Sequence, residues 1–243
     1  VTSFVGETRF ATAPQLAIQL EDVALEFAPD GTLWAMGRGG STGRAVATID
    51  LGTGLATPFA NHAFDGLEGL AFVEDGFVAG RGSSIGELAE IAPAPLGGIT
   101  GTTVLGPIAA GDVDGLTTAP VDVAVAGFGT LAAGTLVAVD TQDLWAVDLP
   151  SRVATKLGTL DLGQDGLETI AFAPDGTLYG IRSVLFRDVA STIFTLSLAD
   201  FSATPVGTTI GGRAFGSAFL PEAASGGGAE VPLPAAGWGL LAA

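Results

Sequence analysis

The sequence predicts an all-β fold of the β-propeller class, and three observations support this. A phrase built around Pro-Asp-Gly occurs as Ala28–Trp34 and again as Ala173–Tyr179, with a weaker copy at Val73–Phe77. A phenylalanine stands three positions before each acidic residue of this phrase and of a fourth copy, at Phe27, Phe72, Phe172 and Phe219. The intervals are 45, 100 and 47 residues, which places one degenerate repeat inside the long interval. Repeats of about 40–50 residues are typical of propeller blades.

Each repeat predicts four short strands joined by turns. Pro-Asp-Gly is turn chemistry, because proline presets φ and glycine accepts a positive φ. The second half of a repeat predicts a hairpin of third and fourth strands. These pairs are Thr48–Leu51 with Leu55–Phe59, Trp145–Leu149 with Val153–Leu157, and Phe194–Leu198 with Ser202–Val206.

Two segments need a decision between alternatives. Glu87–Ile91 has the length of one helical turn, but Pro93 and Pro95 end it, so a third strand of the second repeat is predicted. In the degenerate repeat, Val121–Val125 is predicted as the inner strand and Gly134–Val137 as the next.

The fifth repeat breaks off after Leu220. We therefore predict five blades, the last split between N- and C-terminal segments, with outer strands supplied from residues 1–14. The predicted organisation is a propeller over residues 1–222, a Gly-rich spacer over 223–230 and a tail over 231–243. An incomplete blade leaves an open sheet edge, which favours pairing with another chain. Self-association or a protein partner, bound through the tail and this blade, is expected.

The charge balance excludes several classes of function. The 243 residues carry a net charge of −17, because 26 Asp and Glu face only nine Lys and Arg. Such a surface disfavours nucleic acid and anionic membranes and attracts divalent cations. The absence of cysteine excludes thiolate catalysis and Cys-based metal sites. His62 is the only histidine, so a multi-histidine zinc site is excluded as well.

Acidic residues recur where the chain leads into the inner strands. Such loops gather at one end of a propeller channel, and carboxylates there suit Ca²⁺, which prefers about six to eight oxygen ligands. An alternative remains open, in which these side chains only cap turns. The candidate metal ligands are Asp65, Glu68, Asp112, Asp114, Asp165 and Glu168.

The repeats resemble those of bacterial propeller proteins of the broad NHL and gluconolactonase-like group, over residues 1–222. The resemblance implies the fold more strongly than an activity. Gluconolactonase-like propellers hold a divalent metal in the channel with carboxylate and Asn ligands. Here that ligand set is not recognisable, apart from scattered acids and the only asparagine, Asn61.

The tail carries a second resemblance. Val231, Pro232, Leu233, Pro234 and Ala235 resemble the VPLPA variant of PEP-CTERM sorting signals. The resemblance implies export in a Gram-negative bacterium, processing by an exosortase-type enzyme, and a place at the cell surface or in the extracellular matrix. Only residues 236–243 follow the motif, whereas a membrane span takes about 20 residues, so no stable span is expected in this form. The start at Val1, without an initiator Met, is interpreted as a processed terminus.

The function that the sequence favours is non-enzymatic. The protein is predicted to be an exported structural or binding component that self-associates or binds polysaccharide. Two alternatives remain: a metal-dependent, lactonase-like hydrolase with a channel site, and an accessory subunit of a larger surface or periplasmic complex.

Overall fold

The structure is a computed structural model, and it is built of strands. It describes residues 9–10, 18–39, 43–51, 55–62, 67–73, 76–81, 87–94, 98–107, 112–163, 166–182, 190–208, 217–219 and 238–239. Within these ranges no residue is helical, as predicted.

Four sheets follow one another along the chain, and each runs from an inner to an outer strand. The first contains β1 (Arg9–Phe10), β2 (Ile18–Phe27), β3 (Leu33–Gly39), β4 (Gly43–Ile49) and β5 (Leu55–His62). The second contains β6 (Leu67–Val73), β7 (Gly76–Arg81), β8 (Glu87–Ala94) and β9 (Gly98–Pro107). The third contains β10 (Gly115–Thr118), β13 (Leu136–Asp140), β14 (Asp143–Asp148) and β15 (Val153–Thr159). The fourth contains β16 (Thr169–Phe172), β17 (Leu178–Arg182), β18 (Thr192–Leu196) and β19 (Ala203–Thr208). The predicted strand at Glu87–Ile91 and the predicted third and fourth strands are confirmed.

The Pro-Asp-Gly phrase forms the turn between inner and second strand. In the first sheet the Thr32 N–H donates to the Asp30 carboxylate at 2.9 Å, and Gly31 has a φ of 83°. In the fourth sheet the Thr177 N–H donates to Asp175 at 2.9 Å, and Gly176 has a φ of 85°. These hydrogen bonds lower the pKa of both aspartates. The two aspartates therefore serve the turn.

The core lies between neighbouring sheets. Met36 and Val46 of the first sheet pack against Leu70 and Phe77 of the second. On its other face the second sheet presents Ala71, and this packs against the third sheet. A larger cluster joins the third and fourth sheets. Strands covered on both faces have continuous apolar runs, which is why Leu70–Phe72 and Ile170–Phe172 do not alternate between apolar and polar residues.

The third sheet corrects one prediction. Its inner strand is β10, and Val123–Val125 instead forms β11 of an inserted hairpin with β12 (Gly129–Leu131). The hairpin packs on the fourth sheet, where the Ala126 N–H donates to the Leu198 carbonyl at 2.9 Å. Thr118 takes the place of the repeated phenylalanine, so the aromatic spacing that marks the other inner strands is absent there.

A fifth pair of strands lies between the first sheet and the fourth sheet. β20 (Ala218–Phe219) lies against β2 of the first sheet and β16 of the fourth, and it pairs with β21 (Trp238–Gly239). The Phe219 ring lies 5.2 Å from the Tyr179 ring of the fourth sheet. The inner strands therefore contact one another in a circuit. The count of five blades stays a prediction.

The described part of the N-terminal segment differs from the predicted closure. Arg9–Phe10 pairs in parallel with Leu55–Ala56, the outer strand of the first sheet, and does not pair with β20. An outer strand presents a free row of backbone groups, which an extended segment can satisfy. β20 is paired instead by residues that the sequence assigns to the sorting tail.

Candidate functional site

Three inner strands carry an acidic residue at the same position. Glu68, Asp114 and Glu168 each stand four residues before the position of the repeated phenylalanine, which is occupied by Phe72, Thr118 and Phe172 in these strands. Neighbouring inner strands lie side by side, so equivalent positions come to the same end of the channel. The first repeat has Val23 at this position, and the row is therefore interrupted there.

The structure brings three of the predicted ligands together. One carboxylate oxygen from each of Glu68, Asp112 and Asp114 lies within 4.8 Å of the other two. Two oxygens on opposite sides of a Ca²⁺ ion are about 5 Å apart, because each lies about 2.4 Å from the ion. The three side chains thus have the chemistry and the spacing of a hard-cation site. Asp112 is exposed and the other two are half-buried.

A strained turn holds Asp114 in place. Thr141 has a φ of 55°, which is unusual for a residue with a branched side chain. Its N–H donates to the Asp114 carboxylate at 2.6 Å, and its carbonyl accepts from the Leu167 N–H at 2.8 Å. Thr141 therefore joins the beginnings of two inner strands across the third and fourth sheets. Backbone strain of this kind is common at binding sites.

The electrostatics of the cluster favour a bound cation or a proton. Burial raises the pKa of Asp114 to about 7 against the hydrogen bond from Thr141, and Asp112, Glu168 and Asp140 add repulsion. Burial also raises the pKa of Asp140, as do the charges of Asp143 and Asp112. Carboxylates crowded in this way relieve their repulsion by taking up a positive charge.

The predicted ligand set is only partly assembled. Glu168 joins the cluster through its charge on Asp114, whereas Asp65 and Asp165 lie outside the described residues. Asp140 and Thr141 were not predicted. The one available signal for them was position, since Asp140 is the last residue of β13 and Thr141 follows it in the turn at this end of the sheet.

Another acidic residue with a perturbed pKa lies away from the cluster. Burial raises the pKa of Glu26 on β2 to about 8, and a hydrogen bond from the Phe27 backbone only partly opposes this. The equivalent residues of the other inner strands are Ala71, Thr117 and Ala171. A group whose pKa is raised by folding loses stability as pH rises from its unfolded value towards its folded value.

We therefore expect the Glu26→Gln variant to be more stable than the native protein at pH 8, by on the order of 2 kcal/mol. Near pH 4 the two proteins should be equally stable. Urea unfolding at pH 4, 6 and 8 measures this, with the exposed Asp148→Asn as control. An advantage of Glu26→Gln that does not change with pH would contradict the assignment.

The structure describes little of two other predicted features, His62 and the sorting motif. His62 is the last residue of β5 and lies opposite Arg44 in the register of the first sheet. The sorting-motif residues 231–235 lie outside the described residues, as does the whole of the predicted spacer, residues 223–230. In the part of the chain that the structure describes, no helix is long and apolar enough to span a bilayer.

Several solved structures are similar to parts of this chain. A Bacteroides thetaiotaomicron structural genomics protein of unknown function has a TM-score of 0.50 and 12% identity, over 82% of this chain and 54% of that chain. TolB from Acinetobacter baumannii has a TM-score of 0.49 and 11% identity, over 82% and 46%. The Dos1 propeller has a TM-score of 0.40 and 11% identity, over 80% and 49%. The chain thus spans about half the length of these proteins.

At 12% identity, the similarity to the Bacteroides thetaiotaomicron protein bears on the fold alone. No protein-family model and no curated protein matches the sequence. The class of protein that the strand order and the circuit of inner strands define is the β-propeller.

Proposed function

We propose that this protein is an exported, non-enzymatic binding protein that takes up a divalent cation, Ca²⁺ in particular, at the acidic end of its propeller channel. The observation that carries this proposal is the convergence of Glu68, Asp112 and Asp114 from two adjacent sheets. A place at the cell surface or in the extracellular matrix follows from the VPLPA-like tail. Five blades are part of the proposal, with β20 as the fifth inner strand.

The acidic residues would contribute to ion binding in different ways. Glu68, Asp112 and Asp114 supply three carboxylates, and Glu168 adds negative charge nearby. A Ca²⁺ ion completes its shell with carbonyl oxygens and water, so three side chains suffice for an exchangeable site. Because the pKa of Asp114 is raised to about 7, uptake of the ion at neutral pH would displace a proton from the cluster.

Self-association is proposed to use the incomplete fifth blade. Ala218–Phe219 pairs with Trp238–Gly239 within one chain, and the two pairs of residues are joined by residues 220–237. A segment joined by a long connection can pair with its own chain or with a second copy. This supports an exchange of the tail strand between copies.

The cation proposal is tested by calorimetric titration of the metal-free protein with CaCl₂. We expect the native protein to bind about one ion, and the Glu68→Gln/Asp112→Asn double variant to bind at least about tenfold more weakly. The control variant is Asp148→Asn, which keeps an acceptor for the Ser151 hydroxyl and should bind as the native protein does.

Failure of the native protein to bind Ca²⁺ at millimolar concentration would overturn the proposal. Equal weakening in Asp148→Asn would also overturn it, because the effect would then come from net charge. Chelator-sensitive hydrolysis of a lactone by the native protein would show an enzyme in place of a binding protein.

A further inference from the structure

The inserted hairpin of the third sheet is an addition to its repeat. Residues 119–135 lie between β10 and β13, where the first and fourth sheets have only the Pro-Asp-Gly turns of residues 28–32 and 173–177. β10 and β13 pair directly with each other, and the two strands of the hairpin form a separate sheet. The blade therefore has its four strands without the hairpin.

One face of the hairpin fixes it to the protein. Val125 and Leu131 are buried in the core that joins the third and fourth sheets, and Val123 packs against the same core. The Ala133 N–H donates to the Asp122 carboxylate at 2.9 Å, which joins the two ends of the hairpin. The hairpin is thus held at its base and along one face.

The opposite face is exposed and uncharged. Side chains alternate between the two faces of a strand, so Ala124 on β11 and Thr130 on β12 face away from this core. The two residues are directly opposite each other, and both are exposed. No Asp, Glu, Lys or Arg occurs from Val123 to Val139. In a chain with a net charge of −17, this face can be covered by another molecule without burial of a charge.

An aromatic ring projects at the tip of the hairpin. Phe128 is 41% exposed, and no other aromatic side chain that the structure describes is as exposed. Gly127 and Gly129 on either side have φ values of 72° and 108°, and the Phe128 N–H donates to the Val125 carbonyl at 3.2 Å. This turn fixes the backbone that carries the ring, which lowers the entropy cost of binding a partner.

We propose that the hairpin is a contact between two copies of this protein, in which the Phe128 ring of one copy covers Ala124 and Thr130 of the other. The patch is self-complementary, since it supplies both a projecting ring and a flat face of small side chains, which a two-fold axis brings together. A basic partner would find no acidic side chain on this face. A second copy, as acidic as the first, can approach it without burial of a charge. The contact uses neither the tail nor the cation cluster and is independent of both proposals made for them.

Acidic residues beside the hairpin determine how the contact depends on salt. Asp175 and Asp200 are exposed in the two turns of the fourth sheet on which the hairpin packs. Hydrogen bonds within those turns lower the pKa of both aspartates, so both are charged at neutral pH. The same charges on a second copy repel them, and salt screens this repulsion. We therefore expect the dimer to become stronger as the NaCl concentration rises.

The test is sedimentation velocity of the full chain, from about 10 µM to 1 mM protein, because a small interface gives a weak dimer. The NaCl concentrations are about 20 and 500 mM, on either side of physiological ionic strength. We expect a dimer that Phe128→Ser weakens by at least about tenfold, since aromatic anchors dominate such interfaces. Thr130→Glu is a second variant with the same expected effect, because it places a charge on both faces. The matched control is Val153→Ser, which removes a 54% exposed apolar side chain from β15 and should change the dissociation constant less than about twofold.

A second measurement locates the contact. The native chain has no cysteine, so Ala124→Cys places a single thiol on the proposed interface. A short bis-maleimide should link two copies of Ala124→Cys and should not link the control variant Val153→Cys. A native protein that stays monomeric under all these conditions would overturn the proposal. Dimers that persist unchanged in Phe128→Ser, or equal linking of the two cysteine variants, would overturn it as well, because association through the tail would give those results.

Discussion

The Gly115→Ala variant is expected to lose about 2–3 kcal/mol of stability and to unfold about 5–10 °C below the native protein. Gly115 lies on β10, where the inner strands of the third and fourth sheets are in close backbone contact. A Cβ atom there would lie 2.8 Å from the Ile170 nitrogen and 2.9 Å from the Thr169 Cα. These are backbone atoms of β16. The added Cβ can therefore be accommodated only if the two inner strands move apart.

The equivalent glycine of the second sheet makes the same contact. A Cβ on Gly69 would lie 2.8 Å from the Leu116 nitrogen and 2.9 Å from the Gly115 carbonyl carbon. Gly69→Ala should therefore be destabilising to a similar degree. The repetition shows that close backbone approach is a property of the channel wall and not of one sheet.

Thermal and urea unfolding measure this effect, and Gly207→Ala is the matched control. Gly207 lies on the outer strand β19, where an added Cβ meets no atom within 4 Å. That control should remain within about 0.5 kcal/mol of the native protein. A Gly115→Ala variant as stable as Gly207→Ala would show that the inner strands do not pack as described.

The Asp114→Asn variant is expected to gain stability and lose cation binding together. The amide oxygen of asparagine can still accept the Thr141 N–H, which donates to Asp114 at 2.6 Å, while the negative charge is removed. Burial raises the pKa of Asp114 to about 7, so folding favours its neutral form. The stability of the native protein therefore falls as pH rises from about 4 towards 7, and asparagine removes that loss.

At pH 8, without metal, the variant should be more stable by on the order of 1–2 kcal/mol, and near pH 4 the two should be equal. Saturating CaCl₂ should raise the unfolding temperature of the native protein and leave that of Asp114→Asn unchanged. Asp148→Asn should respond to Ca²⁺ as the native protein does. Other groups also titrate between pH 4 and 7, so the quantity to follow is the difference in stability between Asp114→Asn and the native protein. A difference that does not grow as the pH rises over this range would contradict the charge assignment.

Prediction from sequence succeeded where local chemistry decides the structure. The turns at Asp30 and Asp175 depend on residues within four positions, so their pattern is visible in the chain. Glu68 and Asp114 were recognised for the same reason, because each precedes an apolar inner strand. That their carboxylates lie within 4.8 Å depends on how two sheets dock, which no local pattern encodes.

Prediction failed where a repeat had changed. In the third repeat Thr118 stands in place of phenylalanine, and the β-rich run Val123–Val125 belongs to an inserted hairpin. The runs Gly115–Thr118 and Val123–Val125 both have the composition of an inner strand. They differ in that only Gly115–Thr118 pairs with Leu136–Val139. The N-terminal strand was misplaced for a related reason, since a two-residue segment such as Arg9–Phe10 can pair with any open edge.

The sequence by itself determined that this is an all-β repeat protein with turn-forming aspartates and acidic residues before its inner strands. Periodicity and turn chemistry are short-range properties, and they survive in the linear pattern. The tertiary structure alone decided which carboxylates meet, how Thr141 joins two sheets, and that Trp238–Gly239 pairs with the inner strand β20. These features depend on contacts between residues far apart in the chain, whose geometry exists only once the sheets have packed.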